Sequence, residues 1–539
     1  MNGKKTKIAL SLLMVTTAML SACSNSTEQS TTSSSPTAGA TSTAKPAAPV
    51  DLTVEIFDRA NAPEGGGSVT DNYLTKWIKE TVKADLNINL SYYAVPRAQE
   101  VDKLNVLMST NSAPDIIFTY YKDVYLNYAK QGGIYDLTAL MEQYGADYKK
   151  LAGDRIKAGQ VEGKQMALVS VLGNSALWGS FIRKDWLDKL SLPMPTTRDE
   201  WYKALKAFKE KDPGGVGKDL VAFGMYPTNN TNMDNHYGAS SLLWSFVKSN
   251  TSERDLQTLP YFMLPGWKDG VRFVNQMFLD GLIDPEFSID QNNTKLKANL
   301  ASGKLGSVSQ NFNFPYAASN GALNDTLGKN VAGAQMVPVD PFKNDAGKYP
   351  KVGNPLYGMY IMVPKSSKNP EAAVKYLNWL ANQDHAKMIA LGKENEHFKQ
   401  VDGLNQAIDA KKNGLELWGS GDLNLIGWQQ PLETIQKTAL ANPTLGNSGK
   451  LYVESMNMAL KDSIIDYTRS PIFDRVIEAN QKYKANLDKI YLDGLVRSIL
   501  SKSGEFDKAY DAMAAEYLKN GGQDTITEKQ AAYDAMNKK

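Results

Sequence analysis

The sequence predicts an α/β protein built from more than one domain, with a helix-rich C-terminal part. Three observations carry this expectation. Strand-like and helix-like segments alternate at the start of the folded part. About 490 residues follow residue 49, more than one hydrophobic core normally supports. Late segments such as "DKAYDAMAAEYLKN" have the composition of helices.

Taken in order, "LTVEIF" at 52–57 alternates Leu52, Val54 and Ile56 with Thr53 and Glu55, the period of a strand. A helix-period segment follows, with Leu74, Trp77, Ile78 and Val82 on one face. "INLSYY" at 88–93 reads as a second strand, Val101, Leu104 and Met108 mark another helix, and "DIIF" at 115–118 reads as a third strand. This alternation argues for a parallel sheet. Further on, Thr197 with Glu200 suggests a capping box ahead of Trp201, Leu205 and Phe208. Asn369-Pro370 opens a helix with Ala373, Leu377 and Leu380 inward. No internal repeat is visible.

Open parallel sheets bind ligands where loops leave the carboxyl ends of strands. The first strand is followed by Phe57-Asp58-Arg59 and the glycine-rich "APEGGG"; the third is followed by Thr119-Tyr120-Tyr121-Lys122-Asp123. Asp58, Arg59, Tyr120 and Tyr121 are therefore candidate ligand contacts. They offer flat faces and hydrogen-bonding groups together.

The first 49 residues have a different character. Lys4, Lys5 and Lys7 precede an apolar run from Ile8 to Leu20, which is short for a membrane span and ends in small residues. The only cysteine, Cys23, follows in "LSAC". This resembles a bacterial lipobox, so residues 1–22 read as a lipoprotein signal peptide and Cys23 as the lipidation site. Two or more acyl chains give stable anchoring where one is reversible. Residues 23–49 are Ser/Thr/Ala/Pro-rich with almost nothing apolar to bury, and read as a disordered tether of roughly 28 Å end to end. The protein is expected at the cell membrane, lipid-anchored on its extracytoplasmic face.

The whole chain has 60 basic and 58 acidic residues. Loss of the leader removes three lysines and no acid, leaving 57 against 58, so the mature charge is −1. This gives no electrostatic case for nucleic acid. No other apolar stretch is long enough to span a membrane. A single cysteine excludes an internal disulfide, and no Cys/His metal spacing or cofactor motif appears.

Several segments together resemble family 1 extracellular solute-binding proteins, the carbohydrate-binding subunits of bacterial ABC importers. "APDIIFTYYKDVYLNYAKQGGIYDLT" resembles the first-lobe signature of that family, and "FIRKDWLDKLSLPMPTTRDEWYKALKAFKEKDP" the start of the second lobe. "FLDGLIDPEF", "LASGKLGSV" and "VPKSSKNPEAAVKYLNWLANQDH" follow in the family's order, and "LGKENEHF" with "EFDKAYDAMAAEYLKNGG" resembles its long lipoprotein subgroup. The resemblance implies a two-lobed, periplasmic-binding-protein-like (type II) fold. It places lobe 1 at 50–170 and 311–385 and lobe 2 at 171–310 and 386–539. It also implies a monomer that closes on a carbohydrate, without chemistry, and is read by transmembrane permease subunits.

The remaining site residues rest on this frame. Trp178 lies at the first lobe crossing, and Asn311 with Phe312 lies at the second, where the family places ligand contacts. Trp244 follows a Gly/Ser/Asn-rich stretch, while Tyr357 and Trp418 sit in Gly-rich contexts. Trp77, Trp186, Trp201 and Trp379 read as packing residues, and His236 as an exposed loop residue. The subgroup's calcium loop is degenerate here: "DPGGVGKDLVAFG" keeps Asp212 but offers too few side-chain oxygens for a hard cation, so a glycine turn is expected. No G-x-S-x-G, H-E-x-x-H or P-loop appears. Asp284 and Glu286, the nearest approach to a glycosidase pair, read as part of a turn. The alternatives are a receptor for a non-sugar solute such as a peptide, and a secreted polysaccharide-binding or glycosidase lipoprotein.

Cys23→Ala is expected to abolish metabolic labelling with fatty acid and to release or misprocess the protein, while the folded part keeps its ligand affinity. Persistent lipid labelling would contradict the assignment.

Overall fold

The structure is a computed structural model that describes residues 48–226, 233–290, 293–317, 321–353, 355–465 and 473–537. Cys23, the 1–22 leader and nearly all of the 23–49 tether lie outside the described residues.

The opening alternation forms as the periodicity demands. Strand β1 (Val50–Asp58) leads to helix α1 (Tyr73–Leu86), β2 (Ile88–Pro96), α2 (Glu100–Ser109), β3 (Ile117–Thr119) and α3 (Lys122–Lys130). Asn72 and Thr75 close a reciprocal capping box at the start of α1, and Leu74, Ile78 and Val82 bury its inner face completely. The chain then makes β4 (Leu168–Val171), β5 (Trp178–Arg183), α4 (Arg198–Lys211) and β6 (Val221–Gly224). Thr197 caps α4 as expected, but Glu200 reaches back to the Thr196 amide, one residue beyond the expected partner. Next come α5 (Ser240–Trp244), α6 (Trp267–Leu279), β7 (Leu305–Asn311), β8 (Met336–Val339), β9 (Lys351–Gly353) and β10 (Tyr357–Met362). Helix α7 (Pro370–Ala381), α8 (Gly449–Leu460), β11 (Ser463–Ile465), α9 (Glu478–Ile499), α10 (Phe506–Tyr517) and α11 (Gln523–Met536) complete the helix-rich end.

Two sheets result. In the first, β1 pairs parallel with β2, and Val54 bridges to Ile116 at the entry of β3. Strand β10 then lies antiparallel between β3 and β4. The sheet is thus parallel only over its first three strands, because β10 enters from the opposite direction. The second sheet has the order β8-β5-β7-β6, with β6 and β7 parallel.

Each sheet organises its own core. Leu52, Val54, Ile56, Phe118 and Ile361 pack with α1 and α7 on one side of the first sheet, while Leu104, Tyr125, Ile117 and Tyr360 fill the other. The second core is built around Trp186, Trp201, Phe208, Phe223 and Trp267. Trp186 and Trp201 are fully buried, Trp379 nearly so, and Trp77 packs half-buried against Trp379. Full burial of each large apolar side chain contributes about 1.5–3 kcal/mol.

The chain passes between the two cores more than once. The chain enters the second core after Val171, stays there through Val352, returns by Met359, and remains in the first core through Ile426. Strand β8 belongs to the second sheet because it pairs with β5. Leu417, Leu423 and Ile426 pack under the first sheet, where the Val171 amide donates to the Ile426 carbonyl at 2.7 Å.

One buried group gives this core a pH signature. Glu55 is 1% exposed, and its Oε2 accepts the Phe118 amide at 3.1 Å. Burial, reinforced by the nearby Glu100 carboxylate, raises its pKa from 4.5 to about 8. Between those values the folded state holds the proton more tightly, so its contribution to stability is full below about pH 4.5 and is lost as pH rises through 8. The melting temperature of Glu55→Gln relative to wild type is expected to climb from pH 5 to pH 9; a constant difference would contradict it.

Candidate functional site

Three strands of the first sheet run parallel, so their carboxyl ends share one edge. Three loops therefore meet there. Phe57, 1% exposed at the end of β1, lies under the ring of Tyr120 with centroids 6.0 Å apart and planes at 19°. Tyr120 itself is 41% exposed. The Arg97 guanidinium, just past β2, sits 5.0 Å from the Phe57 centroid and 4.8 Å from that of Tyr120. Arg59 lies 5.8 Å from the Phe57 ring.

Both cations are fixed by carboxylates. Arg59 Nε donates to both oxygens of Asp422 at 2.9 Å, and its Nη2 lies 2.8 Å from Oδ1. Arg97 pairs with Glu100, which is 2% exposed and begins α2. Glu100 Oε1 also accepts from the Thr119 hydroxyl at 2.7 Å and the Tyr120 amide at 2.9 Å. One buried carboxylate thus ties the β2 loop to the β3 loop. Charge-assisted bonds of this kind are the stronger ones, so the three loops are held together as one platform. Burial lowers the pKa of Lys122, next along the β3 loop, to about 8, against the opposing pull of Asp123 and Asp474.

Beside the edge lies a cleft that is partly open to solvent. Its walls include Asp123 of α3, Tyr261, Arg475, Asn480, Tyr491 and Tyr517, so residues of both cores contribute. Asn480 donates to Asp123 Oδ2 at 3.0 Å, and Lys130 pairs with Glu478. Glu528 of α11 accepts the Glu478 and Ala479 amides, both at 2.7 Å, which holds the start of α9 against α11.

Of the residues expected from sequence, Arg59 and Tyr120 meet in this platform, flanked by Asp58 and Tyr121. Asp58 is exposed and turns back to accept the Ala60 amide at 2.9 Å. Trp418 joins from the far end of the first core: its Nε1 donates to the Gly66 carbonyl at 2.9 Å, and Asp422 follows four residues later. Gly66 is required here, since a Cβ would lie 2.9 Å from that indole nitrogen. Tyr357 is half-buried at the start of β10, edge-on to Tyr360, which stacks on Tyr125 at 4.8 Å.

In the second core, Trp178 and Asn311 stand opposite each other at the ends of β5 and β7. Asn311 is exposed, whereas Trp178 is 8% exposed and packs in the core. Phe312 is also buried, edge-on to Tyr452 at 5.5 Å, with its carbonyl accepting from Ser455. Trp244 lies inside an aromatic cluster, edge-on to Trp267 at 5.7 Å and Tyr261 at 6.2 Å. His236 overturns the expectation of an exposed loop residue. It is fully buried, because the turn after β6 folds back under the aromatic residues 261, 267 and 491.

Reading only the loops after the first and third strands missed Arg97, although Pro96-Arg97 ends the second strand and the same rule applies there. Asp422 and Glu100 carried no local signal. Asp422 is 363 residues from its arginine, and Glu100 reads as an ordinary first-turn acid.

Two groups invite a metal reading. Glu396, His397 and Glu416 bring ligand atoms within 4.8 Å of one another. However, His397 Nδ1 accepts the Lys393 amide at 3.1 Å, its Nε2 donates to Glu416 at 2.8 Å, and Lys412 reaches Glu396 at 2.9 Å. The donor set is already used, with lysine supplying the positive charge. In the 212–217 turn, Asp212 accepts the Val216 and Gly217 amides, each at 2.8 Å, one on each carboxylate oxygen. Asp284 and Glu286 both pair with Lys295.

Comparison with known proteins adds lineage. The family model described as bacterial extracellular solute-binding protein matches residues 66–387. "Lipoprotein LipO" of Bacillus subtilis (strain 168) is 23% identical over 467 residues, covering 82% of this chain and 85% of LipO. "Polygalacturonan/rhamnogalacturonan-binding protein YtcQ" of the same organism is 23% identical over 466 residues, covering 85% of this chain and 87% of YtcQ. Among solved structures, the "HMO binding ABC-transporter associated Solute Binding Protein" of Bifidobacterium longum infantis ATCC 15697 superposes with a TM-score of 0.67 at 18% identity, over 91% of this chain and 100% of that one.

Trp418→Phe removes the bond to Gly66 while keeping an aromatic ring, a loss of about 1 kcal/mol. Hydrogen exchange is expected to accelerate at the Gly66 and Ser68 amides, with the rest of β1 unchanged. Unaltered protection of that loop would contradict the tie.

Proposed function

Because the chain belongs to the bacterial extracellular solute-binding proteins and has their periplasmic-binding-protein-like fold, we propose that it is the receptor subunit of an ABC importer for an oligosaccharide, anchored by lipid on Cys23. The family consists of binding proteins, and the cycle proposed here needs no bond to be made or broken. The two cores act as lobes, and the solute selects the closed arrangement because only there do both touch it. A transmembrane permease reads the closed form, and the tether keeps the lobes beside it.

The observation that carries this reading is the strand-end platform. Tyr120 presents an exposed aromatic ring, rigidly backed by Phe57, for the C–H face of a sugar. Arg59 and Arg97 lie beside it with planar donor arrays suited to hydroxyls. The neighbouring cleft adds Tyr261, Asn480 and Tyr491, further aromatic and hydrogen-bonding groups on one wall. YtcQ and the Bifidobacterium protein, whose names specify saccharides, support the substrate class. The name of LipO supports the anchor. Among the described residues no helix is long and apolar enough to cross a membrane.

A thermal-shift screen over mono- and oligosaccharides and peptides tests the class. A binder at a hundredfold excess over Kd stabilises by about 2.7 kcal/mol, so at least one carbohydrate is expected to raise the melting temperature. Shifts with peptides alone would overturn the substrate class. With the best carbohydrate, Tyr120→Ala is expected to weaken binding about tenfold while leaving the melting temperature of the free protein nearly unchanged, as measured by calorimetry.

A further inference from the structure

Two buried carboxylates meet behind the strand-end platform, and one of them has a cation. Glu100 pairs with Arg97, whereas no cation pairs with Glu55 of β1 among the described residues. Glu55 Oε2 accepts the Phe118 amide at 3.1 Å, and its Oε1 has no hydrogen-bond partner among the described residues. The next two residues of the chain hang on Glu100, through the Thr119 hydroxyl at 2.7 Å and the Tyr120 amide at 2.9 Å. Three consecutive residues, Phe118 to Tyr120, are thus held by two neighbouring acids, and the last of them carries the exposed ring.

The groups that act on Glu55 favour its neutral form. Glu100 acts from α2, and Tyr128 from α3 lies near enough for its own pKa to be pushed up to about 12 by burial and by Glu55. The Tyr128 hydroxyl donates to Asn105 of α2 at 2.6 Å. From β3 Glu55 meets the Phe118 amide, and its register partner on β2, Tyr93, is exposed. A carboxylate ion without water or counter-charge is costly, and two side by side on one cation are more so. Burial, reinforced by Glu100, raises the Glu55 pKa to about 8, so at neutral pH it is an acid. Glu100 then commits one oxygen to Arg97 and the other to Thr119 and Tyr120.

We propose that Glu55 is a positioning residue of the solute platform, acting through Glu100: its neutral carboxyl holds Phe118 in place, and its anion releases the Tyr120 loop. The effect on solute rests on the receptor reading; the effect on the platform does not. Loss of the Glu55 proton to solvent sets a second buried negative charge beside Glu100. The strain is relieved by parting the two acids, and the Thr119 and Tyr120 contacts of Glu100 are what that movement breaks. The neutral form dominates below pH 8 and the ion above it, so the competent fraction is about nine-tenths at pH 7 and about one-tenth at pH 9. Apparent affinity falls by the same ratio, about tenfold, even for a solute that carries no charge.

The test follows the mature chain from pH 7 to pH 9, with and without neutral malto-, xylo- and fructo-oligosaccharides. Without ligand, hydrogen-exchange protection at the Tyr120 amide, corrected for the intrinsic rate, is expected to fall in wild type. In Glu55→Gln, which keeps an uncharged acceptor for Phe118, it is expected to stay level. Calorimetry with the best-bound oligosaccharide should show the about tenfold loss in wild type and a level affinity in the variant. Lys122, whose pKa also lies at about 8, titrates over the same range. A fall that persists in Glu55→Gln therefore belongs elsewhere and refutes the proposal. So does a fall in protection shared by α1 and α7, which marks general loosening, or constant Tyr120 protection in wild type. Should Glu55→Gln fail to fold, wild type decides: the infrared carbonyl band of a protonated carboxyl must be present at pH 7 and fade together with Tyr120 protection, and its absence at pH 7 refutes the role. If no oligosaccharide binds, the receptor reading falls, while protection and the infrared band still judge Glu55.

Discussion

The architecture depends on one strand that arrives late. Strand β10 lies between β3 and β4 in the first sheet, yet it is reached only after the chain has built most of the second core. The first sheet is therefore incomplete until Tyr357–Met362 returns, and its hydrogen bonds are non-local by construction. Contacts of such sequence separation carry a loop-closure cost that must be met before they stabilise anything. The consequence is functional. Two cores are joined by repeated crossings, and residues of both line one cleft.

The same parallel strand ends account for the chemistry of the first core. Three loops converge because β1, β2 and β3 point one way, and Glu100 then locks two of them by accepting from Thr119 and Tyr120 and pairing with Arg97. Removing one member of a buried charged network usually costs more than assembling it gained, so these residues behave as a unit. Arg59 is held by Asp422 and the glycine loop by Trp418, both from the last part of the first core. The platform is thus built by segments hundreds of residues apart, and its aromatic face is fixed in place without a ligand.

Much of this was legible in the sequence, for identifiable reasons. Period-two alternation located β1 and β2, and the helical period located α1 with its buried face, because both signals reflect burial on one side of a regular element. The strand-end rule led to Arg59 and Tyr120 because parallel strands leave no other place for loops to meet. The rest was hidden where the cause is long-range. Nothing local says that β8 pairs with β5 across more than 150 residues of chain. His236 read as exposed because its neighbours in sequence are polar; its burial comes from Tyr261, Trp267 and Tyr491, which no short window contains. Asp422 pairs with an arginine 363 residues away, beyond the reach of any pattern.

A clamp that closes on its solute makes one demand that a rigid adhesin would not: the distance between the lobes must depend on occupancy. Spin labels on cysteines replacing Lys103 of α2 and Glu210 of α4, both exposed and on different cores, would report it in a chain whose Cys23 is replaced by alanine. Pulsed electron–electron resonance should show a broad separation without ligand that shortens and narrows when the best-bound oligosaccharide saturates the site. An unchanged distribution, with calorimetry showing the same sample fully occupied, would contradict the account.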